Sequence, residues 1–128
     1  VIEVDYQAIQ LEVARLFDYV PDSVQFDRPE DWRSHADAVR RGERFQGDCD
    51  DYALTCAELL VEDGADPSET AIVYCKTEND VAHLACLYRS WILDNRHDWP
   101  VDWGRIGYDY ISAMYLSAPG EWREIVNS

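Results

Sequence analysis

The stretch RFQGDCDDYALTCAELL, Arg44 to Leu60, decides how the rest of the chain is read. Gly47 and Asp48 precede Cys49, and Asp50 and Asp51 follow it. Apolar residues then recur at Ala53, Leu54, Ala57, Leu60 and Val61, a helical spacing. A helix is predicted from about Cys49 to Asp63, with Gly64 as its cap. The thiol would therefore stand at a helix N-terminus. Free backbone N–H groups and the helix dipole favour negative charge there. The flanking carboxylates oppose it. Their side chains need not point the same way as Cys49, since successive helical residues diverge by roughly 100°.

Upstream, DYQAIQLEVARLFDYV places Ile9, Val13, Leu16, Phe17 and Val20 on one helical face, and Pro21 ends the run. This predicts a helix over Asp5–Val20. Asp22 to Pro29 is read as loop. PEDWRSHADAVRRG, Pro29 to Gly42, predicts a second helix, with proline near its start and glycine at its end. Downstream the pattern changes. TAIVYCKT is β-branched and aromatic, VAHLACLY (Val81–Tyr88) is apolar on both faces, and SWILDN (Ser90–Asn95) follows almost without a loop. The last two predict a tight hairpin, and a final strand is expected near Asp109 to Leu116. Helices first and antiparallel strands second indicate an α+β fold, with N-terminal helices packed on a small antiparallel sheet.

The 128 residues suit one domain, 1–128, with a core that needs no disulfide or metal staple. With 26 acidic and 11 basic residues the net charge is −15, which repels nucleic acid and anionic membranes. Solubility is the simplest reading of that charge. No run approaches the roughly 20 apolar residues of a membrane span, no basic-then-apolar leader opens the chain, and a monomer is expected. Cys49, Cys56, Cys75 and Cys86 form no CxxC pair, so zinc or thioredoxin-type chemistry is not indicated. Cys75 and Cys86 lie in apolar runs and read as small buried hydrophobes; nothing supports a disulfide between them.

A nucleophilic cysteine needs a base, a group that orients the base, and donors for an oxyanion. His83 sits in an apolar strand, where histidine is costly without a partner. A hairpin turning around Tyr88–Ser90 brings His83 beside the segment Asp94–Arg96. The pair suits a catalytic base with its carboxylate; a core histidine satisfied by a carboxylate or carbonyl suits the same spacing. His35, on a polar helix, and His97, in a polar turn, are read as solvated or structural.

Asp31-Trp32, Arg40 to Gly42, Gly-Asp-Cys-Asp-Asp-Tyr-Ala (Gly47–Ala53), His83 and Ile-Leu-Asp-Asn (Ile92–Asn95) together resemble the motifs of the bacterial transglutaminase-like cysteine proteinases. The likeness runs over about Asp31–Asn95, with a weaker echo at Gly120–Trp122. It implies a papain-like, transglutaminase-type core with Cys49 as nucleophile, His83 as general base and acid, and Asp94 as orienting carboxylate. In calcium-binding members of the family the acids flanking the cysteine hold the ion. That role would fall to Asp48 and Asp50, with Asp50 standing where the family motif has Glu. Beyond the Cys49 N–H, Gln46 and Trp32 are candidate oxyanion donors.

The expected function is a cysteine peptidase working on a protein or peptide through an acyl-enzyme, with calcium as its one expected cofactor. Acyl transfer of the transglutaminase or isopeptidase kind, and a non-catalytic calcium- or protein-binding module on the same fold, are the alternatives. Family resemblance implies a periplasmic location; a phage-borne chain would be cytoplasmic.

Overall fold

In the computed structural model, residues 4–20 and 34–125 are described. Helix α1 (Tyr6–Leu16) opens at Asp5, whose side chain accepts from the Ala8 N–H at 3.0 Å. It stops earlier than the predicted Val20. Phe17–Tyr19 forms β1 instead, pairing in parallel with β2 (Phe45–Gly47). The apolar periodicity at Phe17 and Val20 cannot reveal this, because the pairing partner is remote in sequence. α2 is Ala36–Arg40, shorter than predicted at its C-terminal side. The predicted start of that helix, from Pro29 to Arg33, lies outside the described residues.

Helix α3 (Cys49–Glu62) agrees with the prediction, and Gly64 takes the left-handed conformation (φ +112°) that a residue after a helix end favours. Six strands follow: β3 (Thr70–Lys76), β4 (Ala82–Tyr88), β5 (Trp91–Leu93), β6 (Val101–Asp102), β7 (Asp109–Tyr115) and β8 (Arg123–Glu124). They form one sheet in the order β6-β5-β4-β3-β7-β8, and every neighbouring pair is antiparallel. With the helices packed on it, this is the α+β architecture that the order of elements predicts.

Cross-strand partners share a sheet face, and this divides the interior in two. Ile72, Cys86 and Leu93 pair across β3, β4 and β5, and they pack with Tyr52, Ala53, Cys56, Ala57 and Leu60 of α3 and with Val13 and Leu16 of α1. Val73, Cys75, Ala85 and Ile92 line the other face with Tyr108 and Tyr110. Full burial of one such aliphatic side chain contributes about 1.5–3 kcal/mol, so truncating Leu60 to alanine would remove a key between α3 and the sheet. Among the described residues no helix is long and apolar enough to cross a membrane.

Candidate active site

Three elements build the site: the start of α3, the strand β4 and the loop after β5. β2 delivers the chain to α3. The Val20 N–H donates to the Gly47 carbonyl at 2.8 Å, which fixes the entry to the helix. Gly47 is required here by close packing, since a Cβ at this position would stand 2.5 Å from Asp51 Cβ and Oδ2. Asp48 is the N-cap residue, and Cys49 is the first residue of the helix. The Asp48 N–H donates to Asp51 Oδ2 at 3.0 Å, and the Asp48 carboxylate faces the Asp51 amide in return, making a capping box. Cys49 remains partly accessible, whereas Cys56, Cys75 and Cys86 are buried. All four thiols are free, so no Cys75–Cys86 bridge forms.

The β4–β5 hairpin turns through Arg89 and Ser90, as the short spacing predicts, with Arg89 in the left-handed region at φ +56°. Continuing its register by one residue sets Asp94 across from Ala85, two residues from His83 on the same face. The contact is direct: His83 Nε2 lies 3.0 Å from Asp94 Oδ2. His83 is 6% exposed and Asp94 is fully buried. A carboxylate only accepts, so it selects the ring form with a proton on Nε2 and leaves Nδ1 for the thiol. Burial opposes charge on His83, but the hydrogen bonds to Asp94 and to Cys49 outweigh it and lift the pKa to about 9. Burial likewise opposes ionisation of Asp94. Hydrogen bonds from His83, His97 and Tyr108 overcome it and hold the carboxyl below the usual range.

The family resemblance grouped Cys49, His83 and Asp94; in the structure His83 bonds Asp94 and also interacts with Cys49. Sequence reasoning missed the rest of the Asp94 surroundings. His97 Nδ1 lies 2.8 Å from Asp94 Oδ1, and the Tyr108 hydroxyl donates to Oδ2 at 2.6 Å. The buried Gln10 side chain donates to the carbonyls of Asp94 and His97, both at 2.9 Å, and ties α1 to this loop. No local pattern in the sequence announces these partners. A signal did exist for Asp51, because an acid three residues after an N-cap Asp is the capping-box position.

Asp48, Asp50 and Asp51 converge, offering carboxylate oxygens within 4.8 Å of one another. Oxygens that share one calcium ion at about 2.4 Å each lie at most roughly 5 Å apart, so the spacing fits. Asp48 Oδ1 is also buried without a hydrogen-bond partner, an atom that a cation would satisfy. Asp51 keeps spare acceptor capacity beyond the Asp48 N–H and His35 Nε2, the latter at 3.2 Å. The His35 ring stacks on Phe45 at 5.0 Å, a structural placement for that histidine. Of the two oxyanion candidates, Gln46 is exposed on β2, and Trp32 lies outside the described residues.

The family model for bacterial transglutaminase-like cysteine proteinases matches residues 4–128. No curated protein matches the chain. Among solved structures, calcium-bound LapG of Legionella pneumophila is 22% identical, with a TM-score of 0.66 over 91% of this chain and 68% of that one. A second structure of L. pneumophila LapG is 24% identical, at TM-score 0.61 over 84% and 64%. An EGTA-treated form is 18% identical, at TM-score 0.71 over 95% and 66%. The chain thus spans about two thirds of the length of those structures and has their fold. On the match over residues 4–128, the chain belongs to the bacterial transglutaminase-like cysteine proteinases.

Proposed function

We propose that this chain is a cysteine peptidase in which Cys49 is the nucleophile, His83 the general base and acid, and Asp94 the carboxylate that orients His83. The observation that carries the reading is the buried His83–Asp94 bond at 3.0 Å, with Cys49 on the same imidazole. The Cys49 thiol proton resides on His83 Nδ1, in keeping with the raised basicity of that ring, and Cys49 Sγ attacks the substrate carbonyl carbon. The tetrahedral intermediate collapses, the C–N bond breaks, and His83 returns the proton to the departing amine. Water then attacks the thioester, again giving a proton to His83, and the carboxylic acid leaves as the thiol is restored. The Cys49 N–H at the start of α3 and the Gln46 side-chain amide would donate to the oxyanion.

Asp48, Asp50 and Asp51 would hold calcium, a reading supported by the convergence of their oxygens and by the calcium-bound state of a LapG structure. Bound there, the ion would neutralise the carboxylates beside the thiol. The substrate would be a protein or peptide, and a periplasmic location follows the family resemblance.

The test uses a fluorogenic peptide library with calcium present. Cys49→Ala should abolish turnover, and the unaltered protein, quenched in acid during turnover, should carry an acyl adduct on Cys49 by mass spectrometry. Full turnover by Cys49→Ala would overturn the assignment.

A further inference from the structure

Asp94 is held by more donors than a single orienting contact requires. Oδ2 accepts from His83 Nε2 at 3.0 Å and from the Tyr108 hydroxyl at 2.6 Å. Oδ1 lies 2.8 Å from His97 Nδ1 and accepts from the Arg96 N–H at 3.2 Å. An ionised carboxylate offers about four acceptor positions, so rotating this one about its last side-chain bond would break contacts at both oxygens.

The donors are themselves anchored. The Tyr108 ring meets His83 edge-on at 5.5 Å and carries the Arg96 guanidinium over its face at 5.4 Å. Arg96 in turn pairs with Glu78 of the β3–β4 turn, one of the two contacts measuring 3.1 Å. The His97 carbonyl accepts from Gln10. Among the described residues, the titratable and charged groups around the His83–Asp94 pair include Cys49, Tyr52 and Cys56 of α3, Cys75 of β3, Tyr110 of β7, and Arg96, His97 and Tyr108 of the segment after β5.

We propose that Tyr108 and His97 are positioning residues that clamp the Asp94 carboxylate from its two oxygens, fixing the plane in which His83 donates its Nε2–H and so keeping Nδ1 turned to Cys49. This rests on the assignment of Cys49, His83 and Asp94 made above. A carboxylate free to turn would present its oxygens to the imidazole over a range of angles. The base would then be misaimed for part of the time, although its identity and burial are unchanged.

Tyr108→Phe removes only the hydroxyl and keeps the ring contacts to His83 and Arg96. It should lower kcat about tenfold to a hundredfold, with KM within about twofold. In proton NMR the downfield His83 Nε2–H signal, sharp in the unaltered protein, should broaden into solvent exchange. His97→Ala should act in the same direction. His97→Asn, whose amide nitrogen falls near the lost Nδ1, should restore both readouts, and this pair decides the matter if Tyr108→Phe does not fold.

An unaltered His83 signal and kcat in folded Tyr108→Phe, or in His97→Ala, would overturn the clamp. A loss confined to KM would do the same. Because the signal is readable in a Cys49→Ala background, the two ideas fail separately. Turnover surviving Cys49→Ala defeats the catalytic assignment, whereas an undisturbed proton in Tyr108→Phe defeats the clamp alone.

Discussion

Asp94 lies beside His83 and Asp48 beside Cys49, and the fold treats these two carboxylates in opposite ways. Asp94 is fully buried and surrounded by donors: two from side chains on Oδ2, and His97 with a backbone N–H on Oδ1. Asp48 caps a helix among acids, and its Oδ1 is buried with no partner. Protein dipoles complete the first carboxylate. The second sits where three carboxylates meet, and a cation bound there would relieve their mutual repulsion. The contrast separates a carboxylate completed by protein donors from one that keeps an oxygen without a partner.

The sharpest way to break this contrast is to delete the completed carboxylate. Asp94→Ala strands His83, His97, Tyr108 and the Arg96 N–H, and should destabilise the protein by about 3–5 kcal/mol in chemical denaturation. It should also lower kcat about 10⁴-fold, the scale known for an orienting aspartate elsewhere. A variant that unfolds at the same denaturant concentration as the parent would show the donors to be indifferent to the charge.

pH probes the same region more gently. His83 has a folded pKa of about 9, above the ordinary value of 6.5, so its charge stabilises the fold fully below pH 6.5. That contribution, on the order of 3 kcal/mol, is lost as pH rises through 9. The decline between pH 6.5 and 9 should be much flatter in His83→Gln when thermal midpoints are compared.

Calcium tests the other carboxylates. At a hundredfold excess over its dissociation constant, calcium should stabilise the protein by about 2.7 kcal/mol, reversed by EGTA. Asp48→Asn and Asp50→Asn should lose that increment while the His83–Asp94 bond persists. Equal calcium response in these variants would remove the cluster from consideration.

Gly47→Ala is the finest probe. Its Cβ would collide with Asp51, so a loss of about 1–3 kcal/mol is expected, together with weaker calcium binding by calorimetry. Unchanged calcium affinity would place Asp51 outside the cation site.

Much of this geometry could be read from the chain itself because its determinants are local. Helical spacing after Cys49 and the near-absence of a loop between Tyr88 and Trp91 are short-range patterns: the first sets Cys49 at a helix start and the second sets Asp94 near His83, while grouping Cys49 with that pair came from the resemblance to the family's motifs. What escaped depends on residues far apart in sequence. Phe17–Tyr19 looks helical until Phe45–Gly47 is beside it. Gln10 and Tyr108 look like an ordinary helix glutamine and loop tyrosine until packing brings both to one aspartate loop. Asp51 was visible, but its value as a third carboxylate depends on its close approach to Gly47.

The distribution of thiols has a practical consequence. Cys49 alone reaches solvent, while Cys56, Cys75 and Cys86 are sealed in the interior, where burial pushes the Cys75 thiol up to about 12. An alkylating reagent should therefore add one mass tag to each native molecule and four to each unfolded one. The chain carries its own counter of the folded fraction, readable in a mixture or a cell extract without a fused reporter.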